Sequence, residues 1–480
     1  MAFTWIWRGP GKSPILADKS ASAAHKRPQA GDAIIAGVPQ TDVVPHLGQG
    51  IWVLNEGAAN AQRIGLSGRS ELWRRGGLRT GVTEGVSGRT FRIMTAMLEP
   101  YRIGRIEEAN ASGKSWRASR YLIGQSALAS GEAAVLGGGS ISLAAAEQNA
   151  SLRRAANMAV KALYILGLDI GEADIWVGDN GKVAVIDAWP LQPGTRQGAE
   201  ALERFAGSYA AAIARTQDRR GILLGADPEF ALLTLEGKLA LASRFFGEGA
   251  GGAAGADAML VGRRVLYPVA EIRPEPAATP AALAANVRRL LHAAAAQIGD
   301  PKLRWVAGAM PLPGLALGGH IHISGAPLTG RLLRMLDSCA AYPLALVEDP
   351  AGRGRRPRYG SLGDFRRQPY GGFEYRTLPS WLVSPAAAKA AFALALLCAR
   401  EAHRIDRIPA REERFAAAYY AGDRTELAAS LDPIAEALTS LEGYEEQARY
   451  IEPLFEAARQ GKTWDERSDI RQKWRITMKN

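Results

Sequence analysis

Cysteine is almost missing from this chain: Cys339 and Cys398 are the only two in 480 residues. Both lie in apolar, helical-looking sequence. Two such thiols make no disulfide framework, so they read as core residues of a protein kept in a reducing cytoplasm. Long apolar runs are missing too. There is no stretch of 18 apolar residues, and the N-terminal MAFTWIWRGPGKSP has no signal-peptide core, so neither a membrane span nor export is expected. The Gly/Ala-rich segment 247–258 carries no Lys-Ser/Thr and no strand–turn–helix setting. That excludes a P-loop, and the segment reads as a loop. No internal repeat is found. No zinc-finger or RNA-binding signature accompanies the basic residues, which argues against a nucleic-acid partner.

What is present is an ordinary soluble composition, 47% hydrophobic and 22% charged, in a chain long enough for two to four domains. The net charge of +11 comes mainly from arginine and favours anionic partners. Its densest block is GRGRRPRYGSLGDFRRQPYGGFEYR, with Arg353, Arg355, Arg356, Arg358, Arg366 and Arg367. Residues 1–31 mix Gly, Pro, Lys and Ser without periodicity and read as a loose leader. A first α/β domain is expected over 32–215, then a polar linker near 216–220. A second spans 221–404. From 405 to 480 three segments carry apolar residues at helical spacing and suggest a helical extension. Thr279-Pro280 and Ser384-Pro385 each pair a capping side chain with a proline at the first helical position, so helices should start there.

Four short β-like runs in the second domain carry polar pairs at i, i+2: Asp227 and Glu229, Glu271 and Arg273, His320 and His322, Glu374 and Arg376. Alternation puts both members of each pair on one face of its strand. A single pair is most simply a strand end at the surface. If the four strands share a sheet, one face becomes a bed of carboxylates, imidazoles and guanidiniums. Carboxylates and imidazoles hold divalent metals, and arginines bind phosphate or carboxylate oxygens, a combination suited to phosphoryl transfer.

The order GADPEF, AEIRPE, GGHIHISG, FEYR resembles the glutamine synthetase and glutamate–cysteine ligase superfamily, and most closely the phage-type carboxylate–amine ligases, the amidoligases of type 2, over residues 221–404. The resemblance implies an antiparallel sheet curved around the site, an α/β (α+β) fold with ancestry shared with guanidino kinases. It also implies activation of a carboxylate by ATP and Mg²⁺, with Mn²⁺ as the alternative ion, to an acyl phosphate that an amine attacks. Carried over, Asp227 and Glu229 become metal-side ligands, Glu271 completes a metal site and Glu374 is a further ligand. His320 and His322 bind metal or nucleotide phosphate, Arg376 contacts the transferred phosphoryl group and Arg273 assists. The whole arginine-rich block, Arg355 and Arg356 included and Arg366 and Arg367 foremost, becomes a candidate clamp for ATP or an acidic substrate. Asp227 stands where glutamine synthetases have glutamate, so its reach is shorter.

The stretch VKALYILGLDIGEADIWVGDNGKVAVIDAWPLQPG reads as helix, strand, Gly-Asp-Asn-Gly turn, strand. It resembles the end of an ATP-grasp domain, which implies Mg²⁺ ligation by Asp174 and Asp187. It departs from that pattern: Asp187 replaces the usual Glu, and Trp189 stands where a metal-binding Asn is expected. The residues before it are few for a full ATP-grasp, although 89–106 and the WRASRYLIG segment at 116–124 could supply strands and arginines. A degenerate or atypical ATP-grasp-like domain is therefore expected. The leading function is an ATP- and Mg²⁺-dependent ligase joining a carboxylate to an amine, either small molecules or a peptide. Phosphoryl transfer to a guanidino group and a non-catalytic, virion-associated binding role are the alternatives. Self-association stays open.

Overall fold

Strand alternation and helix capping generate most of the architecture seen in the computed structural model. It describes residues 2–9, 12–18, 27–36, 50–106, 140–217, 221–247, 254–261, 264–402, 404–405 and 408–477. The chain forms two compact units, Met1–Ala211 and Ala212–Asn480. The WRASRYLIG segment lies outside the described residues.

In the first unit, β1 (Thr4–Trp7), β2 (Ile15–Leu16), β3 (Ala33–Ala36) and β4 (Trp52–Val53) form a four-stranded sheet in the order β2-β1-β3-β4. Thr4–Trp7, expected in an unstructured leader, is thus a strand, parallel to β3. Trp5 and Trp7 make this possible, because they bury against Ile34 and Ile51, and large aromatics recover much more by burial than a solvated leader would. Asp32 fixes the join by accepting from the Phe3 amide at 2.8 Å and the Trp5 indole at 2.9 Å.

A second sheet follows: β5 (Gly88–Ala96), β6 (Glu99–Ile106), β7 (Ser140–Ile141), β8 (Ile170–Gly178) and β9 (Val183–Pro190), in the order β7-β6-β5-β8-β9 and antiparallel throughout. Helix Ala150–Ile165 covers its apolar face, where Ala159, Leu163, Phe91, Ile93, Ile175 and Val185 are buried. The helix–strand–turn–strand order agrees with the sequence. Gly181, with φ of +76°, closes the tight turn between β8 and β9, a conformation other side chains rarely adopt.

The second unit is built on one curled antiparallel sheet. Its strands are β10 (Leu223–Leu233), β11 (Leu239–Ala240), β12 (Ala254–Val261), β13 (Arg264–Ile272), β14 (Arg304–Val306), β15 (Gly319–Ser324), β16 (Phe365–Arg367) and β17 (Phe373–Tyr375). The main path runs β12-β13-β10-β15-β17-β16, with β11 and β14 also pairing with β10. The second half of the Gly/Ala-rich segment is therefore strand β12 rather than loop. One face carries Leu224, Phe230, Ile272, Ile321, Ile323 and Tyr375, all buried. Helices Pro280–Ile298 and Pro385–Glu401 lie against β13 and β15 respectively, and against each other. Both begin as the sequence indicates: Thr279 accepts from the Ala282 amide at 3.3 Å and Ser384 from Ala387 at 3.1 Å. Helices Glu413–Ala421, Leu431–Thr439 and Tyr444–Arg459 occupy the C-terminal region. No helix among the described residues is long and apolar enough to cross a membrane.

Candidate active site

Sheet register brings the four polar pairs together. Glu229 is paired with Glu271, Asp227 with His320, and Gly225 with His322, which is paired in turn with Glu374. Residues directly opposite in an antiparallel pair share a face, so the four pairs line one face of β13, β10, β15 and β17. Asp227, Glu271, His320 and Glu374 are all buried, Glu374 completely at 0% exposure. This is the opposite of a strand end emerging at a surface.

Within that face the side chains separate into two donor groups. Asp227, His322 and Glu374 bring ligand atoms within 4.8 Å of one another, and so do Glu229, Asp257 and Glu271. His320 stands beside the first group, with Nδ1 at 3.3 Å from Asp227 and 3.2 Å from Glu374. His322 Nε2 lies 3.2 Å from Asp227, and its Nδ1 is 3.0 Å from the Tyr370 hydroxyl. Glu229 is anchored differently: its carboxylate accepts from the Gly318 amide at 2.7 Å. Arg273 ion-pairs with Glu271. Glu374 meets Arg366 at 2.6 Å, Gln368 at 3.1 Å and Arg376 at 3.1 Å. An open cleft of about 460 Å³ reaches the first group and is lined by Gly225, Asp227, Arg273, His322, Arg366 and Tyr370, among others.

Crowding of charge shifts the titration of these groups. Burial and the neighbouring Asp227 charge push Glu271 up to about 8, against the opposing pull of Arg273. Burial also raises Glu229, partly countered by His320 and the Gly318 amide. Burial would raise Asp227 as well, but hydrogen bonding and charge from His320 and His322 outweigh it and hold the carboxyl well below its usual range. Burial would lower His320, yet Asp227 keeps it raised. Asp227 Oδ1, Glu271 Oε1, His320 Nδ1, His322 Nε2, Glu374 Oε1 and Arg376 Nε are buried without an aligned hydrogen bond. Their groups meet one another or Arg273 as ion pairs, and such a concentration of carboxylates, imidazoles and guanidiniums on one face suits divalent cations and phosphate oxygens.

The glycines before the histidines have a steric purpose. A methyl on Gly318 would overlap the His320 ring, and one on Gly319 would strike the Pro379 carbonyl and the Trp381 ring. Gly318→Ala should displace His320 while leaving the sheet paired. Since misplacing a reacting or ligating group by about 1 Å can cost up to about 10²-fold, a loss of that order in turnover with little change in melting temperature is expected.

Three expectations are corrected by the geometry. Arg367 is paired with Phe373 rather than Glu374, which turns it to the opposite face from the site. Arg355 and Arg356 are buried within the protein instead of clamping a ligand. Arg355 donates to the Thr377 and Leu378 carbonyls at 2.9 and 2.7 Å, and Arg356 pairs with Glu348 and stacks on Tyr419. In the first unit Asp174 and Asp187 are paired across β8 and β9, but guanidiniums already hold them. Arg92 grips Asp174 at 2.9 and 3.2 Å, and Arg69 lies 2.9 Å from Asp187. Trp189 donates to Glu172 and lies under Arg92. Among the described residues no third metal-type donor joins the two acids.

Asp257 went unread because it lies in the Gly/Ala-rich segment. Its only signal was the alternation GADAM after Gly255, which fits a strand as well as a loop. Tyr370 and Gln368 sit in a basic, glycine-rich stretch with no motif to mark them.

The family model of the phage phiEco32-like COOH.NH2 ligases, type 2, matches residues 224–476, just over half of the chain and including the C-terminal helices. No curated protein matches the sequence significantly. A bifunctional glutathione synthetase from Pasteurella multocida aligns at 11% identity with a TM-score of 0.34. That alignment covers 56% of this chain and 53% of the synthetase, so the chain spans about half the length of that protein. So distant a likeness carries no weight for either unit. The family match and the sheet face it covers agree, and the chain belongs to the phage phiEco32-like COOH.NH2 ligase family, type 2.

Proposed function

We propose that the protein is an ATP-dependent ligase that forms an amide bond between a carboxylate and an amine on the polar face of the second unit's sheet. The observation that carries this reading is the pair of three-donor groups, Asp227/His322/Glu374 and Glu229/Asp257/Glu271, among buried polar atoms that lack aligned partners. Those six residues would hold divalent cations, Mg²⁺ or Mn²⁺, which when bound neutralise charge on phosphate oxygens. A carboxylate oxygen attacks the γ-phosphorus of ATP and ADP leaves. The amine nitrogen then attacks the acyl carbon of the acyl phosphate, inorganic phosphate leaves and the nitrogen gives up a proton. Arg376, beside Glu374, is suited to the transferred phosphoryl oxygens, and Arg273 and Arg366 to anions in the cleft. His320 keeps Asp227 and Glu374, two members of the first donor group, in position.

Among the described residues the first unit shows no third metal-type donor beside Asp174 and Asp187, which Arg92 and Arg69 hold. An ATP-grasp-like role in holding an acceptor or a nucleotide without its own metal is the reading we keep for it. A cytoplasmic setting accords with two buried free cysteines. ADP and phosphate release, measured against panels of carboxylates, amines and guanidino compounds, tests the proposal. A ligase releases both ADP and phosphate and requires a carboxylate and an amine. A guanidino kinase releases ADP alone, and a binding protein releases neither.

A further inference from the structure

Three arginines rest on the two donor groups, and they are attached differently. Arg273 ion-pairs with Glu271, in the group with Glu229 and Asp257. Arg366 binds Glu374 Oε2 through Nε and Nη2, each at 2.6 Å, in the group with Asp227 and His322. Their side chains are 42% and 57% exposed, and both line the cleft. Arg376, 3.1 Å from Glu374 Oε1, does not line it. Arg366 is carried by strand β16 and Arg273 directly follows the end of β13, and their long, partly exposed side chains can swing without moving those strands.

A guanidinium and a divalent cation cannot share one carboxylate oxygen freely. They compete for the same lone pairs, and like charges a few ångströms apart repel strongly at a buried site. We propose that Arg273 and Arg366 are built-in counter-cations. In the metal-free protein they occupy the two carboxylate groups; displaced by divalent cations, they turn into the cleft and take phosphate oxygens of the nucleotide. Metal binding and phosphate binding then reinforce each other, as linkage requires when one ligand frees the groups that bind the next. Each arginine thereby acts as a positioning residue twice, holding a carboxylate in place before loading and an anion after it. This rests on the metal and nucleotide reading given under Proposed function.

Calorimetric titration of the full chain tests it. Arg273→Gln and Arg366→Gln should each bind Mg²⁺ more tightly than the wild type, by about five- to tenfold, because losing a charge-assisted hydrogen bond removes a competitor of that strength. At saturating Mg²⁺ the same variants should bind the β,γ-imido analogue of ATP about tenfold more weakly. Opposite signs for the two ligands are the signature. Unchanged or weaker Mg²⁺ binding in both variants, with normal binding by the wild type, overturns the displacement and leaves the metal reading standing. Tighter Mg²⁺ binding with unchanged analogue affinity overturns the swing into the cleft. A wild type that binds neither Mg²⁺ nor Mn²⁺ overturns the underlying reading itself.

Discussion

Glu374→Gln should cut ATP-dependent ligation by on the order of 10²–10³ or more while leaving the chain folded. Glu374 is fully buried and is the convergence point of His320, Arg366, Arg376 and Gln368. Glutamine keeps its shape and much of its hydrogen bonding but removes the negative charge. A cation is then attracted by Asp227 alone in that donor group, and three cationic neighbours lose their common counter-charge. The fold should survive because β17 is fastened from its other face, where the Tyr375 hydroxyl donates to Asp337 at 2.6 Å. Arg366 is exposed enough to find water. ADP release and a thermal melt on the same preparation check both halves. Near-normal turnover would mean the first donor group is not where the chemistry occurs.

A second large effect concerns pH. Burial and the Asp227 charge push Glu271 up to about 8 even against the pull of Arg273, so as the pH falls below 8 a proton increasingly takes the place of the Arg273 ion pair on this carboxyl. A metal needs the carboxylate, and binding must therefore expel that proton. Mg²⁺ affinity should rise by about tenfold per pH unit from near 6 up to about 8 and level off above it, the slope of a single coupled ionisation. Glu271→Gln should bind more weakly and flatten the profile. Calorimetry in buffers of differing ionisation enthalpy counts the released protons directly. A wild-type affinity that stays flat across this range would show that the second group, with Glu229 and Asp257, does not bind metal through Glu271.

The parts of the site that depend on period-two alternation were legible, because alternation is a local property of any strand. Asp227 with Glu229 and His320 with His322 needed only the knowledge that i and i+2 share a face. That the four strands share one curved sheet came from the resemblance; the register that sets Glu229 opposite Glu271, and His322 opposite Glu374, is a non-local property that the sequence did not carry. What failed was non-local. One residue of parity separates Arg366 on the site from Arg367 on the opposite face, and adjacent arginines in a basic stretch carry no sign of it. Arg355 and Arg356 look like surface residues until the Thr377 carbonyl and Glu348 arrive from elsewhere in the chain. Asp174 and Asp187 look like metal ligands until Arg92 and Arg69, each more than 80 residues away, take their charge. Trp5 and Trp7 were the overlooked signal for β1, since paired tryptophans in a supposed leader must bury somewhere.

Side-by-side ADP release by Asp174→Asn and Glu374→Gln, under identical ATP, Mg²⁺ and substrate, tests most directly whether the second unit's sheet carries the chemistry. Asp174, unlike Glu374, belongs to no three-donor group among the described residues, so most of the turnover should remain in Asp174→Asn once the variant is shown to be folded. Glu374→Gln should be silent. The reverse pattern, Asp174→Asn inactive and Glu374→Gln active, would contradict the assignment and move the reaction to the first unit.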